Sequence, residues 1–345
     1  MTRISALTPG INVPSSKYRV RQYIPLLNDA GISVDEFAAK IDYSAKLPGI
    51  LGRVRQRYVF PVSATWIGIK SISRIDDIIK SNRYDAVWLN RIVVNTLYME
   101  KFILRPLIYD VDDAIWLNDE RITRKIAQKA EIILAGNSFI ADWFCKVNPN
   151  INIIPTAIDT QWFCPSDSKP GNLFKIVWTG SQQTIHYLLS IEKTLAKFLN
   201  EKMDVLLIVI SDVYPKFTSI RKEKIRFIKW TPEDEIVAIQ EARVGIMPLN
   251  NTPWERGKCS FKMLKYMACG IPVLVSPVGM NNEVLSKGEI GFAAFKDDDW
   301  ISGLEFFYKN QDKSKLMGFN GTQVINKYYS LDIVTKSLVQ IFRNI

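Results

Sequence analysis

Residues 248–279, PLNNTPWERGKCSFKMLKYMACGIPVLVSPVG, pass from loop to helix to strand in one short stretch. Thr252 to Gly257 reads as a loop. Ser260 to Met267 reads as a helix with Ser260 as its cap and Gly270 as its stop, and IPVLV (271–275) follows as a Pro-started strand. A helix that runs directly into a fully apolar strand is the repeating unit of a parallel sheet covered on both faces.

The same alternation extends in both directions. Upstream, RISAL (3–7), AVWL (86–89), LIYDV (107–111), IILA (132–135) and NIIP (152–155) read as short buried strands, separated by helical patterns such as Arg19 to Ala30 and Ile122 to Ala130. Nearer the opening stretch, FKIVW (174–178), DVLLIVI (204–210), KIRFI (224–228) and VGIMP (244–248) repeat the pattern. Between the two series lies CPSDSKPGN (164–172), with two prolines and a glycine, which reads as a linker. The expected architecture is α/β, with two doubly wound parallel-sheet domains at 1–165 and 173–345. The last helix is left free to pack back on the first domain.

The chain has 345 residues, 47% of them hydrophobic and 23% charged, which suits two globular domains rather than a disordered or fibrous protein. Four scattered cysteines without a CxxC pair argue against a structural zinc or a disulfide framework. The longest apolar candidate for a membrane span, Met267 to Met280, is interrupted by Gly270 and Pro272, and MTRISALTPG at the start lacks the apolar centre of a signal peptide. A cytoplasmic protein is expected.

The net charge is +10, and residues 1–70 carry ten basic against four acidic side chains. Such a patch suits a polyanion, a phosphorylated substrate or an anionic membrane surface, so a peripheral location at the inner face of a membrane fits the sequence. Nucleic acid is disfavoured, because no helix-turn-helix, RNP or zinc motif accompanies the charge.

Ligands of open parallel sheets bind where strand ends pass into loops and helices, so the residues after each strand are the candidates. TGSQQT (179–184) would offer backbone donors at Gly180 and Ser181 to a phosphate, although it matches neither GxGxxG nor GxxxxGK[ST]. Arg256, Lys258 and Lys262 bracket the start of the helix at Ser260. Cations oppose the helix dipole there, an arrangement that suits an anionic ligand such as a diphosphate. SSKYRVR (15–21) repeats it, with Ser15 or Ser16 as cap and Lys17, Arg19 and Arg21 at the helix start, which again suits an anion. DVDD (110–113) ends a strand and looks like a DxD metal motif. His186 reads as a surface histidine.

These residues carry a family resemblance. MACGIPVLVS (267–276), with FKMLKYM (261–267) ahead of it, is similar to the donor-binding helix and following block of retaining GT-B glycosyltransferases of the family 4 type, the group 1 glycosyl transferases. IIPTAIDTQWF (153–163), AGNSFIADWF (135–144) and WTGS (178–181) resemble other motifs of that family in the same order. The resemblance implies two Rossmann-like domains facing a cleft. It implies a nucleoside diphosphate sugar in the second domain as co-substrate and a glycan or phospholipid-linked acceptor in the first. No metal and no cofactor are implied.

On this basis Asp113, Lys258 and Glu255 are the catalytic candidates. Gly180, Ser181, Trp230, Glu233, Lys258, Ser260, Phe261 and Lys262 are those for the donor, and Lys17, Arg19, Arg21, Asp110 and Asp112 those for the acceptor. Trp230 and Glu233 fall where the family seats the nucleobase. The implied activity is hexosyl transfer in surface polysaccharide or lipopolysaccharide synthesis, with retention. One departure stands out: the family's two glutamates, with seven residues between them, align with Gly257 and Lys265. Without that pair, a non-catalytic nucleotide-sugar binding protein or a nucleotide-sugar epimerase on the same fold stays open.

Overall fold

A computed structural model describes residues 2–42, 45, 60–94, 96–166 and 171–345. The chain divides into two compact units, one of residues 1–157 with 334–345 and one of residues 158–333. The stretch 164–172 falls inside the second unit, and its residues 167–170 lie outside the described ones.

In chain order the first unit contains β1 (Thr2–Thr8), α1 (Ile24–Asp29), β2 (Ile32–Ala38), α2 (Phe60–Ser81), β3 (Ala86–Asn90), β4 (Leu107–Val111), α3 (Glu120–Lys129), β5 (Ile132–Ala135), α4 (Ser138–Phe144) and β6 (Ile151–Ile153). Its six strands are all parallel, in the order β2-β1-β3-β4-β5-β6. Every residue of β3 and β4 is buried, as expected of central strands covered on both faces. The helices start on identifiable caps: Asp119 accepts the Ile122 N–H at 3.0 Å ahead of α3, and Asn137 accepts the Ile140 N–H at 2.9 Å ahead of α4.

The second unit contains β7 (Phe174–Thr179), α5 (Ile185–Ser190), α6 (Glu192–Glu201), β8 (Val205–Ser211), β9 (Ile225–Lys229), α7 (Pro232–Gln240), β10 (Val244–Met247), α8 (Pro253–Arg256), α9 (Phe261–Ala268), β11 (Val273–Val275), α10 (Met280–Leu285), β12 (Gly291–Ala293), α11 (Asp297–Lys309) and α12 (Gln311–Val324). Its strands are again all parallel, ordered β12-β11-β10-β7-β8-β9. Trp178, Phe198, Trp300 and Phe307 anchor its core between sheet and helices. The last helix, α13 (Leu331–Arg343), runs on into the first unit, where Phe342 packs edge-on against Trp88 at 5.0 Å.

Three local expectations change. The helix expected over Arg19 to Ala30 is wound in pieces, a π turn at 16–20, a 3₁₀ turn at 21–23 and then α1. Pro25 explains the last break, since it lacks an N–H and can only open a helical segment. Neither Ser15 nor Ser16 caps it; the Ser15 hydroxyl donates to Asn90 Oδ1 at 2.8 Å instead. Ser260 occupies the cap position of α9 but has φ 51°, a left-handed turn in which its side chain makes no cap bond.

Candidate functional site

In the second unit the strand order reverses between β7 and β10, so the loops leaving these two strands meet at the topological switch point. Tyr266 of α9 ties them together: its hydroxyl accepts the Thr179 N–H at 3.1 Å and donates toward the Ile246 carbonyl at 3.4 Å. The ring fits because residue 245 is glycine; a Cβ there would come within 2.3 Å of it. Behind the loop, Gly279 (φ +53°) lies against the Arg256 carbonyl, and a Cβ would approach it to 2.4 Å. The 252–260 loop and the start of α9 are therefore held from both sides.

Three lysines gather at this point. Lys265 is paired with Glu235 of α7 at 2.8 Å, both side chains nearly sealed, and the Thr179 hydroxyl donates to the other Glu235 oxygen at 2.6 Å. Burial works against the Glu235 charge, but the attraction of Lys265 and these hydrogen bonds hold its carboxyl below the usual range. Among the described residues Lys262 is not paired with an acid: its ammonium donates to Thr184 Oγ1 at 3.2 Å and lies 4.6 Å from the Trp178 ring centre. Burial, reinforced by repulsion from Lys258 and Lys265, pushes it down to about 7. Lys258 sits over the rings of Trp254 (5.5 Å) and Tyr187 (6.0 Å).

Glu255 is buried beside this cluster. Tyr187 donates to its Oε1 at 2.5 Å and the Thr252 hydroxyl to its Oε2. Despite burial, these bonds hold its carboxyl below the usual carboxylate range. The site thus combines two ionised carboxylates, Glu235 paired with Lys265 and Glu255 held by Tyr187 and Thr252, with the further lysines Lys258 and Lys262, a set suited to a ligand with a strongly anionic part and a polar part.

Other expected donor contacts are placed differently. Gly180 and Ser181 do not present open backbone donors: the Gly180 N–H donates to the Ile210 carbonyl at 3.0 Å, extending the β7–β8 ladder, and the Ser181 N–H donates to Thr184 Oγ1 at 3.1 Å. Trp230 is half-exposed at the end of β9, and Glu233 is exposed in the first turn of α7. Two residues on, Glu235 turns inward, a residue that no local pattern singles out. Phe261 is half-buried at the start of α9, with Lys265 4.7 Å from its ring.

In the first unit the switch point lies between β1 and β3, and DVDD ends the neighbouring β4. Its acids are taken up by arginines. Arg19, 1% exposed, pairs with Asp110 at 2.8 Å, and the Trp88 indole N–H donates to the other Asp110 oxygen at 3.0 Å. Burial pushes Asp110 up to about 6 against the pull of Arg19. Arg91, in a left-handed turn at φ 66°, pairs with both Asp112 (2.7 Å) and Asp113 (2.5 Å). Burial opposes the Asp112 charge, but Arg91 holds its carboxyl below the usual range.

Arg19 therefore does not crowd an open helix start with Lys17 and Arg21. It is spent internally, Arg21 forms a two-pronged pair with Glu36 at 2.7 and 2.8 Å, and Lys17 is exposed. Sequence reasoning missed Arg91; its place directly after β3, facing an acidic run after β4, was the available signal. Among the described residues no group of three or more His, Cys, Asp or Glu is arranged to hold a metal ion.

Two parallel-sheet units of this topology define the GT-B architecture, that of two Rossmann-like domains. Residues 174–309 match the family model described as Glycosyl transferases group 1. Among solved structures, a sucrose-phosphate synthase from Thermosynechococcus elongatus superposes with TM-score 0.73 at 14% identity, covering 100% of this chain and 99% of that one. The Anabaena protein Alr3699/HepE, solved in complex with UDP, gives 0.68 at 12% identity with 100% of both chains covered. The lipopolysaccharide outer core galactosyltransferase WaaB gives 0.63 at 12%, again over 100% of both. At such identities these likenesses concern the fold. No curated protein matches the sequence. The family match lies in the second unit, around the lysine cluster.

Proposed function

We propose that the protein moves a sugar from a nucleoside diphosphate sugar to a glycan or glycolipid acceptor, with retention of anomeric configuration, in the cytoplasm and in the synthesis of a surface polysaccharide or lipopolysaccharide. The observation that carries the donor half of this reading is Lys262. Its half-buried ammonium lies beside two further lysines, and among the described residues its hydrogen-bond partner is the Thr184 hydroxyl rather than an acid. A diphosphate supplies the missing counter-charge. Lys258, Lys262 and the first turn of α9 would stabilise the negative charge that grows on the leaving diphosphate.

Glu255, locked by Tyr187 and Thr252, is the carboxylate nearest this group in sequence and is suited to bond sugar hydroxyls rather than attack. Same-face delivery of the acceptor, assisted by the leaving phosphate, then gives retention. In the first unit, Asp113 is half-buried and shares Arg91 with Asp112, which leaves it suited to orient an acceptor hydroxyl. With the DVDD acids neutralised by arginines, the reaction is proposed to need no metal.

The test is thermal stabilisation by a panel of nucleoside diphosphates and nucleotide sugars with and without EDTA, followed by product analysis with the selected donor. A selective, EDTA-insensitive rise in Tm that Lys262→Met abolishes supports the reading. No rise with any nucleotide removes the donor site, and an inverted product anomer removes retention.

A further inference from the structure

Helix α2 is built inside out. Its inward side carries Lys70, Arg74, Asp77 and Ser81, all buried. Arg74, 2% exposed, pairs with Asp77 at 2.7 Å and donates to the Phe37 carbonyl, and the Lys70 ammonium donates to the Ala45 carbonyl. Its outward side carries Ile69, Ile72, Ile75 and Ile79, with Ile72 70% exposed. Spacings of three and four residues place these isoleucines on one stripe.

The stripe continues past the helix end. The Asn82 amide donates to the Phe102 carbonyl and accepts the Leu104 N–H, which seats two further exposed apolar side chains beside it, Leu104 being 80% exposed. Cations surround the patch. Lys80 pairs with Asp76, whose charge Lys40 and Arg83 also attract; Lys101 lies 4.8 Å from the Phe102 ring centre; Arg105 donates to the Asn82 carbonyl.

An apolar face of this extent, on a helix that buries Lys70, Arg74 and Asp77 and leaves only the Asp76–Lys80 pair beside its exposed isoleucines, is an interaction surface. We propose that it docks on an anionic lipid bilayer, with the isoleucines, Phe102 and Leu104 entering the boundary between headgroups and acyl chains and the surrounding cations meeting lipid phosphates. A second copy of the chain fits less well, because a two-fold interface here would set Lys40, Lys80, Arg83, Lys101 and Arg105 against their own copies. Lysine and arginine side chains instead extend readily toward a headgroup layer while their stems cover apolar surface. Among the described residues no helix is long and apolar enough to cross a membrane, so the contact is peripheral.

The proposal stands apart from the donor reading, and its test does not measure sugar transfer. Flotation of the full chain is compared with vesicles of phosphatidylcholine containing phosphatidylglycerol and with vesicles of phosphatidylcholine alone. The chain is expected to float with the anionic vesicles only and to be released by high salt. The double variant Ile72→Ser, Ile79→Ser, made at exposed positions, should keep its Tm yet partition about tenfold more weakly; Arg83→Glu with Lys101→Glu should do the same. No flotation of the wild type, equal flotation of the isoleucine variant, or a wild-type dimer in sedimentation that the isoleucine variant dissociates would each overturn it.

Discussion

Lys265 and Glu235 form a buried ion pair at 2.8 Å, in which the carboxylate comes from α7 and the cation from α9. The resemblance aligns Lys265 with the family's second glutamate, and here that position holds the cation of a pair whose acid comes from another helix. Restoring the pattern should therefore fail. Lys265→Glu would bury two carboxylates together and cost about 3–5 kcal/mol in denaturant unfolding, whereas adding Glu235→Lys should recover most of that.

Lys262 shapes stability as well as binding. Between about pH 7 and the ordinary lysine range the unfolded chain holds a proton that the folded chain has released, so stability rises with pH there. Below about 7 both states are protonated and the folded chain bears the full penalty. Lys262→Met should thus stabilise the ligand-free protein by about 1–3 kcal/mol at neutral pH and below. The gain should shrink to nothing as pH approaches the ordinary lysine range, read as Tm against pH.

Lys258→Ala tests the diphosphate contact. If Lys258 meets growing charge on the leaving group, KM for the donor rises and kcat falls, by about tenfold or more in kcat/KM. Unchanged steady-state kinetics would take Lys258 out of the site.

Tyr187→Phe removes a hydroxyl without emptying the space around it, at a cost to folding of about 1 kcal/mol. Glu255 would lose one of the two bonds that keep its carboxyl low. The acidic limb of the transfer rate against pH should then move to higher pH, while the fold is kept. A limb that stays in place would mean that Glu255 does not act in its ionised form.

Arg19→Met leaves Asp110 buried without its partner and should destabilise the first unit by about 3–5 kcal/mol. Asp110→Asn in the same chain should return part of that loss, as measured by urea unfolding.

The architecture was legible in the residue pattern because central strands of parallel sheets are apolar on both faces, and β3, β4, β7, β8 and β11 announce themselves as short continuous runs. β2, with Asp35 and Glu36 in its middle, and the three-residue β12 escaped notice, since edge strands need satisfy only one neighbour. The candidate sites were legible as places: the loops after β4, β7 and β10 are where the structure gathers the charged side chains. Which cation meets which acid was not, because Arg19 and Asp110 are 91 residues apart and Lys265 and Glu235 are 30 apart. Such pairs depend on strand order, which local periodicity does not encode. The Gly180 turn misled for a related reason, as its N–H belongs to the β8 ladder.

The end of α13 bears on how the chain is made. Phe342 completes the packing around Trp88, and the Arg343 guanidinium donates to the Ala30 carbonyl. The second unit is one continuous stretch, 158–333, while the first needs residues 334–345 as well as 1–157. During synthesis the later-encoded unit is complete in sequence first, and the earlier one waits for residues 334–345 to leave the ribosome. Truncation after residue 333 would therefore injure the opening half of the protein rather than the closing half.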